Sequence, residues 1–344
     1  MEEIMSLTSH SSFDLGDVPL LSGETLPNAQ LAYKTYGRLN AAGDNVVVLP
    51  TFFTGTHRRN EGFFGPGRAI DPEHHFVVSI NMFGNGLSTS PSHAARGEQG
   101  AWPSGVTLYD NVQCQHRLLF DHLGVQRIAL VAGWSMAGCQ AYHWAALYPD
   151  LVDAIIPFCA SAKTSPHNFV FLEGVKAALL ADPRWDGRGG ASSTRGLKAF
   201  ARVYAGWAYS QTFFRDGYYR ELGYESIEDL LVDWENDHVQ HWNAHDLLAK
   251  IWSWQRSDIS ANPLYESNFQ SALRAISARA IVIPCTQDLY FPPEDNRLEV
   301  NEMPNAELRP YDSPFGHCVA NPGNDTEFEK FLDAAIHDVL QPTN

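Results

Sequence analysis

A serine between small residues follows an apolar run in this sequence, and its surroundings could make its hydroxyl a nucleophile. The run 128–133 is typical of a buried strand, and a helical pattern begins directly after Ser135. Gly133 and Ala137, two positions to either side, are small enough for strand and helix to approach closely around a strained turn. The spacing predicts a nucleophile elbow with Ser135 at its apex. Without these flanks, the same pattern is more often an ordinary loop.

Two later residues could activate that hydroxyl. A serine needs an imidazole to accept its proton, and the imidazole needs a carboxylate to orient it. Asp288 follows the β-rich run 280–285, and His317 lies in a turn-rich segment before a final helical pattern. Fourteen histidines and forty acidic residues make such residues common, so position carries the argument: Asp288 directly follows a strand pattern, and His317 lies between Gly316 and the last helical pattern. We predict a triad of Ser135, Asp288 and His317; the alternative is that the last two are solvated loop residues.

A serine nucleophile also needs two N–H donors for the negative charge that develops on the substrate oxygen. The residue after the nucleophile, Met136, supplies one. The apolar run 46–50 leads into a loop that bends at Gly55, and this loop is the expected source of the second donor. We predict the Phe53 amide, with Phe52 or Thr54 as alternatives if the register of the loop differs.

The elements that must position these residues alternate along the chain. Apolar runs are separated by helical patterns such as 112–123 and 140–147, which predicts an α/β fold with a mostly parallel central sheet and helices on both faces. Mixed helical patterns rich in Trp, Tyr and Phe occupy 161–275, hereafter the lid segment, and predict an inserted helical lid. The predicted organisation is a core in two parts, 1–160 and 276–344, around this lid. The apolar runs are 46–49, 76–80, 128–131, 155–158 and 281–283.

Several ordered motifs together resemble one family. The chain resembles the homoserine O-acetyltransferase branch of the α/β-hydrolase superfamily over nearly its full length, and is closest in character to the alkyl acetate esterases of that branch. The resemblance implies the α/β-hydrolase fold and a homodimer that forms through the lid. The segments that carry it are 33–37, 54–55, 81–89, 133–138, 162–168, 182–185, 288–293 and 313–317.

Departures from that family bear on the substrate. Where the acyltransferases have an aspartate that meets the amino group of the acceptor, this chain has Cys318, whose neutral thiol cannot pair with an ammonium group. Arg202 and Tyr209 keep the seven-residue separation of the family's arginine and tyrosine that hold the acceptor carboxylate. They would bind a carboxylate if both project into the site. Equally, Arg202 could extend along a lid helix towards solvent while Tyr209 packs within the lid.

These observations favour a serine esterase that hydrolyses short-chain acetyl esters of small alcohols through an acyl-enzyme on Ser135, with no cofactor. The first alternative is an O-acetyltransferase that uses acetyl-CoA and homoserine or another hydroxyl acceptor. A non-catalytic binding or scaffold protein is the second alternative, and an intact triad argues against it.

The net charge of −16 disfavours nucleic acid and anionic membranes as partners, since neither would meet a basic surface. Five cysteines without paired spacing and an N-terminus without a signal-peptide pattern predict a cytoplasmic protein. His238, His241 and His245 are spaced as metal ligands on one helix face could be, but a solvated lid surface explains them as well. We predict no metal site.

Overall fold

The computed structural model describes residues 9–95, 101–185 and 194–341. Within these residues an eight-stranded sheet has the order β1-β2-β4-β3-β5-β6-β7-β8. The pairs β1/β2 and β2/β4 are antiparallel and the other neighbours are parallel, so the predicted mostly parallel sheet is confirmed. The strands are β1 Ser11–Pro19, β2 Thr25–Tyr36, β3 Val46–Pro50, β4 Phe76–Ile80, β5 Ile128–Trp134, β6 Ala154–Phe158, β7 Arg279–Val282 and β8 Ala306–Leu308.

The central strands are short, β-branched and buried on both faces. Every residue of β3, β4 and β6 is buried. Successive side chains of β3 point to opposite sides, so that Val47 and Leu49 join one hydrophobic core while Val46 and Val48 join another. Continuous apolar strands of this kind are stable only when helices cover both faces of the sheet.

The described residues form twelve α-helices, which include those that cover the two faces of the sheet. A π-helical turn, Arg117–His122, continues the third of them. The helices are α1 His57–Asn60, α2 Pro91–Ala95, α3 Leu108–His116, α4 Met136–Leu147, α5 Pro166–Leu180, α6 Thr194–Ala208, α7 Gln211–Asp216, α8 Ile227–His241, α9 Ala244–Gln255, α10 Phe269–Ala275, α11 Pro293–Glu302 and α12 Thr326–Leu340.

Six of these helices, α5 to α10, lie in the lid segment between β6 and β7. Polar side chains at their N-termini accept hydrogen bonds from backbone N–H groups that have no partner within the helix. Ser165 caps α5, Ser210 caps α7, Ser226 caps α8 and Asn243 caps α9. The predicted division into a two-part core and an inserted lid domain stays a prediction.

None of the described helices combines the length and apolarity that crossing a membrane would require.

Candidate active site

Ser135 lies at a sharp turn between β5 and α4. Its backbone has φ 60° and ψ −130°, a conformation that side-chain-bearing residues rarely adopt. Its N–H donates to the Phe158 carbonyl at 3.1 Å, which fixes the turn against β6. A Cβ on Gly133 would lie 2.5 Å from the Cβ of Ala137. The small residues on either side are therefore a steric requirement of this turn.

Asp288 and His317 form a buried hydrogen-bonded pair. The carboxylate Oδ2 of Asp288 lies 2.7 Å from His317 Nδ1, and Oδ1 accepts the backbone N–H groups of Tyr290 at 2.7 Å and Phe291 at 3.2 Å. Both side chains are at most 4% exposed. Because a carboxylate accepts and does not donate, this contact places a proton on Nδ1 and leaves Nε2 able to accept one.

The loop that carries His317 is fixed by close packing. Gly316 has φ 57°, and a Cβ there would lie 2.8 Å from the Ser210 backbone nitrogen, so the start of α7 packs directly on this loop. Trp134 Nε1 donates to the His317 carbonyl at 3.1 Å. The imidazole also lies edge-on to the Tyr290 ring, with 4.6 Å between ring centroids. These contacts leave the ring little freedom to move away from Asp288.

Ser135 and His317 line one cavity of about 800 Å³ between the sheet and the lid segment. Nine aromatic residues contribute to its wall beside charged residues such as Arg58, Arg59 and Asp233, so the cavity offers both apolar surface and polar groups to a small ligand. The aromatic residues of the wall are Phe52, Phe53, Trp134, Tyr204, Tyr209, Tyr224, Trp234, Trp242 and Tyr290.

The loop after β3 lies beside the elbow, as the oxyanion-hole prediction requires. Gln140 of α4 donates to the Thr51 carbonyl at 2.9 Å, which ties the loop to the helix that Met136 begins. Phe53 lines the cavity and Met136 is fully buried. Among the residues that the structure describes, the backbone N–H groups of Phe53 and Met136 donate no hydrogen bond. Both amides are therefore available as donors to a ligand.

Cys318 and Tyr209 also line the cavity and contact each other through their side chains. Burial raises the pKa of the Cys318 thiol to about 12, so the thiol is neutral at physiological pH. Burial also raises the pKa of Tyr209 well above its usual value. This part of the wall carries no charge.

Arg202 does not line the cavity. Its guanidinium pairs with Glu228 through two hydrogen bonds, of 2.5 and 3.1 Å, and with Glu235 of the same lid helix. The expectation that Arg202 faces the substrate is corrected here, because two carboxylates on α8 hold its charge at the lid surface. Of the predicted substrate-binding residues, the structure brings only Tyr209 and Cys318 to the cavity.

Two basic residues at the site were missed: Arg59, which lines the cavity, and Lys250, which contacts the loop after β3 without lining the cavity. Arg59 stands over the rings of Phe52, at 5.2 Å, and Trp134, at 5.7 Å, and donates to the Thr54 carbonyl at 3.1 Å. Lys250 of α9 contacts the same loop from the other side. The only sequence signal for either is a basic side chain, just after the loop that follows β3 for Arg59 and in an otherwise apolar helix stretch for Lys250.

Two groups of residues were considered as metal ligands, and the structure gives little support to either. Ligand atoms of Cys159, Asp288 and His317 lie within 4.8 Å of one another, but burial raises the pKa of the Cys159 thiol well above its usual value, and a protonated thiol is a poor ligand. The one-face arrangement considered for the three histidines is wrong, because α8 ends at His241 and His245 belongs to α9. His238 Nδ1 is already 2.8 Å from the Trp234 carbonyl.

Comparison with known proteins agrees with this architecture. An ethyl acetate hydrolase from Pseudomonas veronii is 33% identical over 339 residues, which cover 96% of this chain and 96% of that protein. A homoserine O-acetyltransferase from Chlorobium chlorochromatii is 31% identical over 312 residues, 86% of each chain. The crystal structure of an acetylester hydrolase from Corynebacterium glutamicum superimposes with a TM-score of 0.91 at 28% identity, covering 98% of this chain and 97% of that one.

The family model for the alpha/beta hydrolase fold matches residues 44–319, which include the elbow and both loops of the hydrogen-bonded pair. The resemblance to the branch that holds acetyl esterases and homoserine O-acetyltransferases is confirmed. The chain belongs to the α/β hydrolase fold family.

Proposed function

We propose that this protein is a serine esterase that hydrolyses acetyl esters of small alcohols, with Ser135, His317 and Asp288 as its catalytic triad. The observation that carries the proposal is the buried Asp288–His317 hydrogen bond of 2.7 Å in the wall of the cavity that Ser135 also lines. Similarity to an ethyl acetate hydrolase over 96% of the chain supports the substrate class.

In the proposed mechanism, His317 Nε2 accepts the Ser135 proton while the serine oxygen attacks the ester carbonyl. The negative charge on the carbonyl oxygen is stabilised by the N–H groups of Phe53 and Met136. His317 then gives its proton to the departing alcohol, which leaves an acetyl group on Ser135. Water attacks that group with His317 again acting as base, and acetate leaves. Asp288 keeps the proton on Nδ1 and stabilises the imidazolium.

The two positions that match the acceptor-binding residues of the acyltransferases favour water over an amino acid as the acceptor of the acetyl group. Recognition of homoserine requires a partner for its ammonium group and one for its carboxylate. Cys318 is neutral, and Arg202 is paired with Glu228 and Glu235 outside the cavity. Leaving a charged group of the acceptor without a partner in a buried site costs about 2–5 kcal/mol. We therefore propose hydrolysis as the reaction that completes the cycle.

The test is the release of acetate from ethyl acetate by the protein and by Ser135→Ala, with Ser271→Ala as an exposed serine control. We expect Ser135→Ala to lower kcat by about 10⁴-fold or more, while Ser271→Ala leaves it unchanged. Substantial hydrolysis by Ser135→Ala would refute the assignment of the nucleophile.

A second arm of the test supplies acetyl-CoA and homoserine. We expect free acetate from ethyl acetate at the same rate with or without homoserine, and no accumulation of O-acetylhomoserine. If O-acetylhomoserine accumulates while acetate release stays low, the protein is an acetyltransferase and the neutral Cys318 has been given too much weight.

The cytoplasmic location and the homodimer stay predictions. The homodimer would form through the lid segment, which carries seven of the eight large apolar side chains that are exposed among the described residues, including Phe169, Val170 and Leu264.

A further inference from the structure

Lys250 is an unusual feature of the lid segment because its side chain is completely buried. It lies on α9, on the side of the helix that faces the loop after β3. Taking an ammonium group out of water is costly, so buried lysines are rare and mostly have a charged partner. No carboxylate of the described residues lies within ion-pair distance of Lys250. Its position therefore requires another explanation.

The contacts of Lys250 are with the oxyanion loop and with an aromatic ring. Its Nζ donates to the Phe53 carbonyl at 2.5 Å. The same nitrogen lies 4.1 Å from the centre of the Trp242 ring and 5.3 Å from the centre of the Phe53 ring. Aromatic faces attract a cation, and a carbonyl oxygen accepts a strong hydrogen bond from it.

The Phe53 carbonyl is one of four successive backbone carbonyls that each accept a hydrogen bond. The Thr51 carbonyl accepts from Gln140, the Phe52 carbonyl from the Gly55 N–H, and the Thr54 carbonyl from Arg59. Lys250 supplies the donor that Phe53 needs. The carbonyl groups of the loop are thus held by the surrounding protein, while the Phe53 N–H has no partner among the described residues.

We propose that Lys250 is a positioning residue for the oxyanion hole. By holding the Phe53 carbonyl, it fixes the backbone so that the Phe53 N–H is free to donate to the substrate oxygen, and it puts a positive charge behind the place where negative charge develops. The inference rests on the proposed function, since it assumes that Phe53 is an oxyanion donor.

The groups around Lys250 determine when it carries its charge. Asp246, one turn earlier on α9, accepts hydrogen bonds from the Ser92 N–H at 2.8 Å and hydroxyl at 2.7 Å. His238 on α8 is a neighbouring basic group, and Arg59 on α1 acts on that histidine from another element. Burial lowers the pKa of Lys250 to about 7, and the negative charge of Asp246 opposes this effect. The ammonium is therefore lost as pH rises through neutrality.

The test compares Lys250→Met with the wild-type protein in ethyl acetate hydrolysis. Methionine keeps an unbranched apolar chain but has neither the charge nor the donor. We expect kcat to fall about 10- to 100-fold, less than the loss of a direct oxyanion donor, with KM within about twofold. The control is Lys163→Met, which removes a lysine that pairs with Asp258 at 2.8 Å and lies 5.5 Å from the Phe269 ring, outside the cavity wall. It should leave kcat unchanged.

A pH profile separates positioning from a purely structural role. The wild-type kcat should decline as pH rises above about 7, and Lys250→Met should lack that decline. The free energy of unfolding should change in the opposite direction. Because the pKa of Lys250 is lower in the folded state than in the unfolded state, the wild type should gain stability relative to Lys250→Met as pH rises from about 7 towards 10. An equal kcat in Lys250→Met, or the same alkaline decline, would overturn the inference.

If Lys250→Met does not fold, Lys250→Arg provides the second variant, because the guanidinium keeps its charge at all these pH values. It should show no alkaline decline in kcat, and a decline identical to that of the wild type would contradict the proposal. Failure of the proposed function is recognised separately: hydrolysis by Ser135→Ala refutes the function, whereas an inactive Ser135→Ala beside a fully active Lys250→Met refutes only the role of Lys250.

Discussion

In the sheet region, three loops hold Ser135, Asp288 and His317 through backbone turns and main-chain hydrogen bonds. In the lid segment, Tyr209 is held instead by side-chain packing against aromatic rings, and Lys250 by such packing together with its side-chain hydrogen bond to the Phe53 carbonyl. The Tyr209 ring stacks on Phe213, for example, with 4.0 Å between centroids. Positions fixed by the backbone tolerate almost no change in residue type, whereas positions fixed by packing depend on several neighbours at once. Substitutions should therefore have sharper effects in the first region.

The largest expected effect within this comparison is that of Asp288→Asn. The asparagine oxygen would accept the N–H groups of Tyr290 and Phe291, and its NH₂ would then face His317 Nδ1. That contact favours the imidazole tautomer with its proton on Nε2, which cannot accept the Ser135 proton. We expect kcat for ethyl acetate to fall about 10⁴-fold, with little change in the circular dichroism spectrum.

The matched control is Asp312→Asn. Asp312 is an exposed carboxylate that accepts from the Thr286 hydroxyl, in the loop that leads to Asp288. Its replacement should leave kcat unchanged. A loss of less than tenfold for Asp288→Asn would show that the buried pair does not act in catalysis, and the contrast between the two regions would lose its strongest example.

A pair of glycines gives the second prediction, of intermediate size. A Cβ on Gly133 would lie 2.5 Å from Ala137, whereas a Cβ on Gly174, in lid helix α5, would meet nothing within 4 Å. Gly133→Ala should lower the free energy of unfolding by about 1–3 kcal/mol and reduce kcat, because the elbow must shift. Gly174→Ala should raise the free energy of unfolding by about 0.5–1 kcal/mol without changing kcat.

Urea unfolding and ethyl acetate kinetics on both glycine variants provide the measurement. Effects of the same sign on stability would mean that the elbow is less tightly packed than the structure indicates, and that the two regions do not differ in this respect.

The smallest expected effect is that of Arg202→Gln on the lid surface. The substitution removes ion pairs with Glu228 and Glu235, which are worth about 1 kcal/mol or less at such an exposed site. We expect kcat/KM to stay within about twofold of the wild type. Arg59→Gln, which removes a cation that does line the cavity and holds the Thr54 carbonyl, should reduce kcat/KM more. A larger loss of kcat/KM in Arg202→Gln than in Arg59→Gln would indicate that Arg202 contacts the substrate.

The difference between the two regions also explains what could be predicted from the sequence. The parallel sheet and the turn at Ser135 were predictable because β-branched runs and small flanking residues leave local signals. Asp288 was predicted from its position after a strand pattern, and His317 from its position before the last helical pattern. No local pattern indicates that Arg202 pairs with α8 or that Lys250 reaches the oxyanion loop, because both depend on how lid helices pack on one another and on the sheet. The break between His241 and His245 depends on the cap at Asn243, which a simple spacing rule does not detect.

The backbone of Ser135 has a consequence for how this protein can evolve. Its conformation, with φ 60° and ψ −130°, costs on the order of 1–3 kcal/mol that a glycine would not incur. A glycine at this position would give a more stable chain without the proposed nucleophile. Selection for thermal stability alone would thus remove the serine, so the residue persists only while hydrolysis itself is selected.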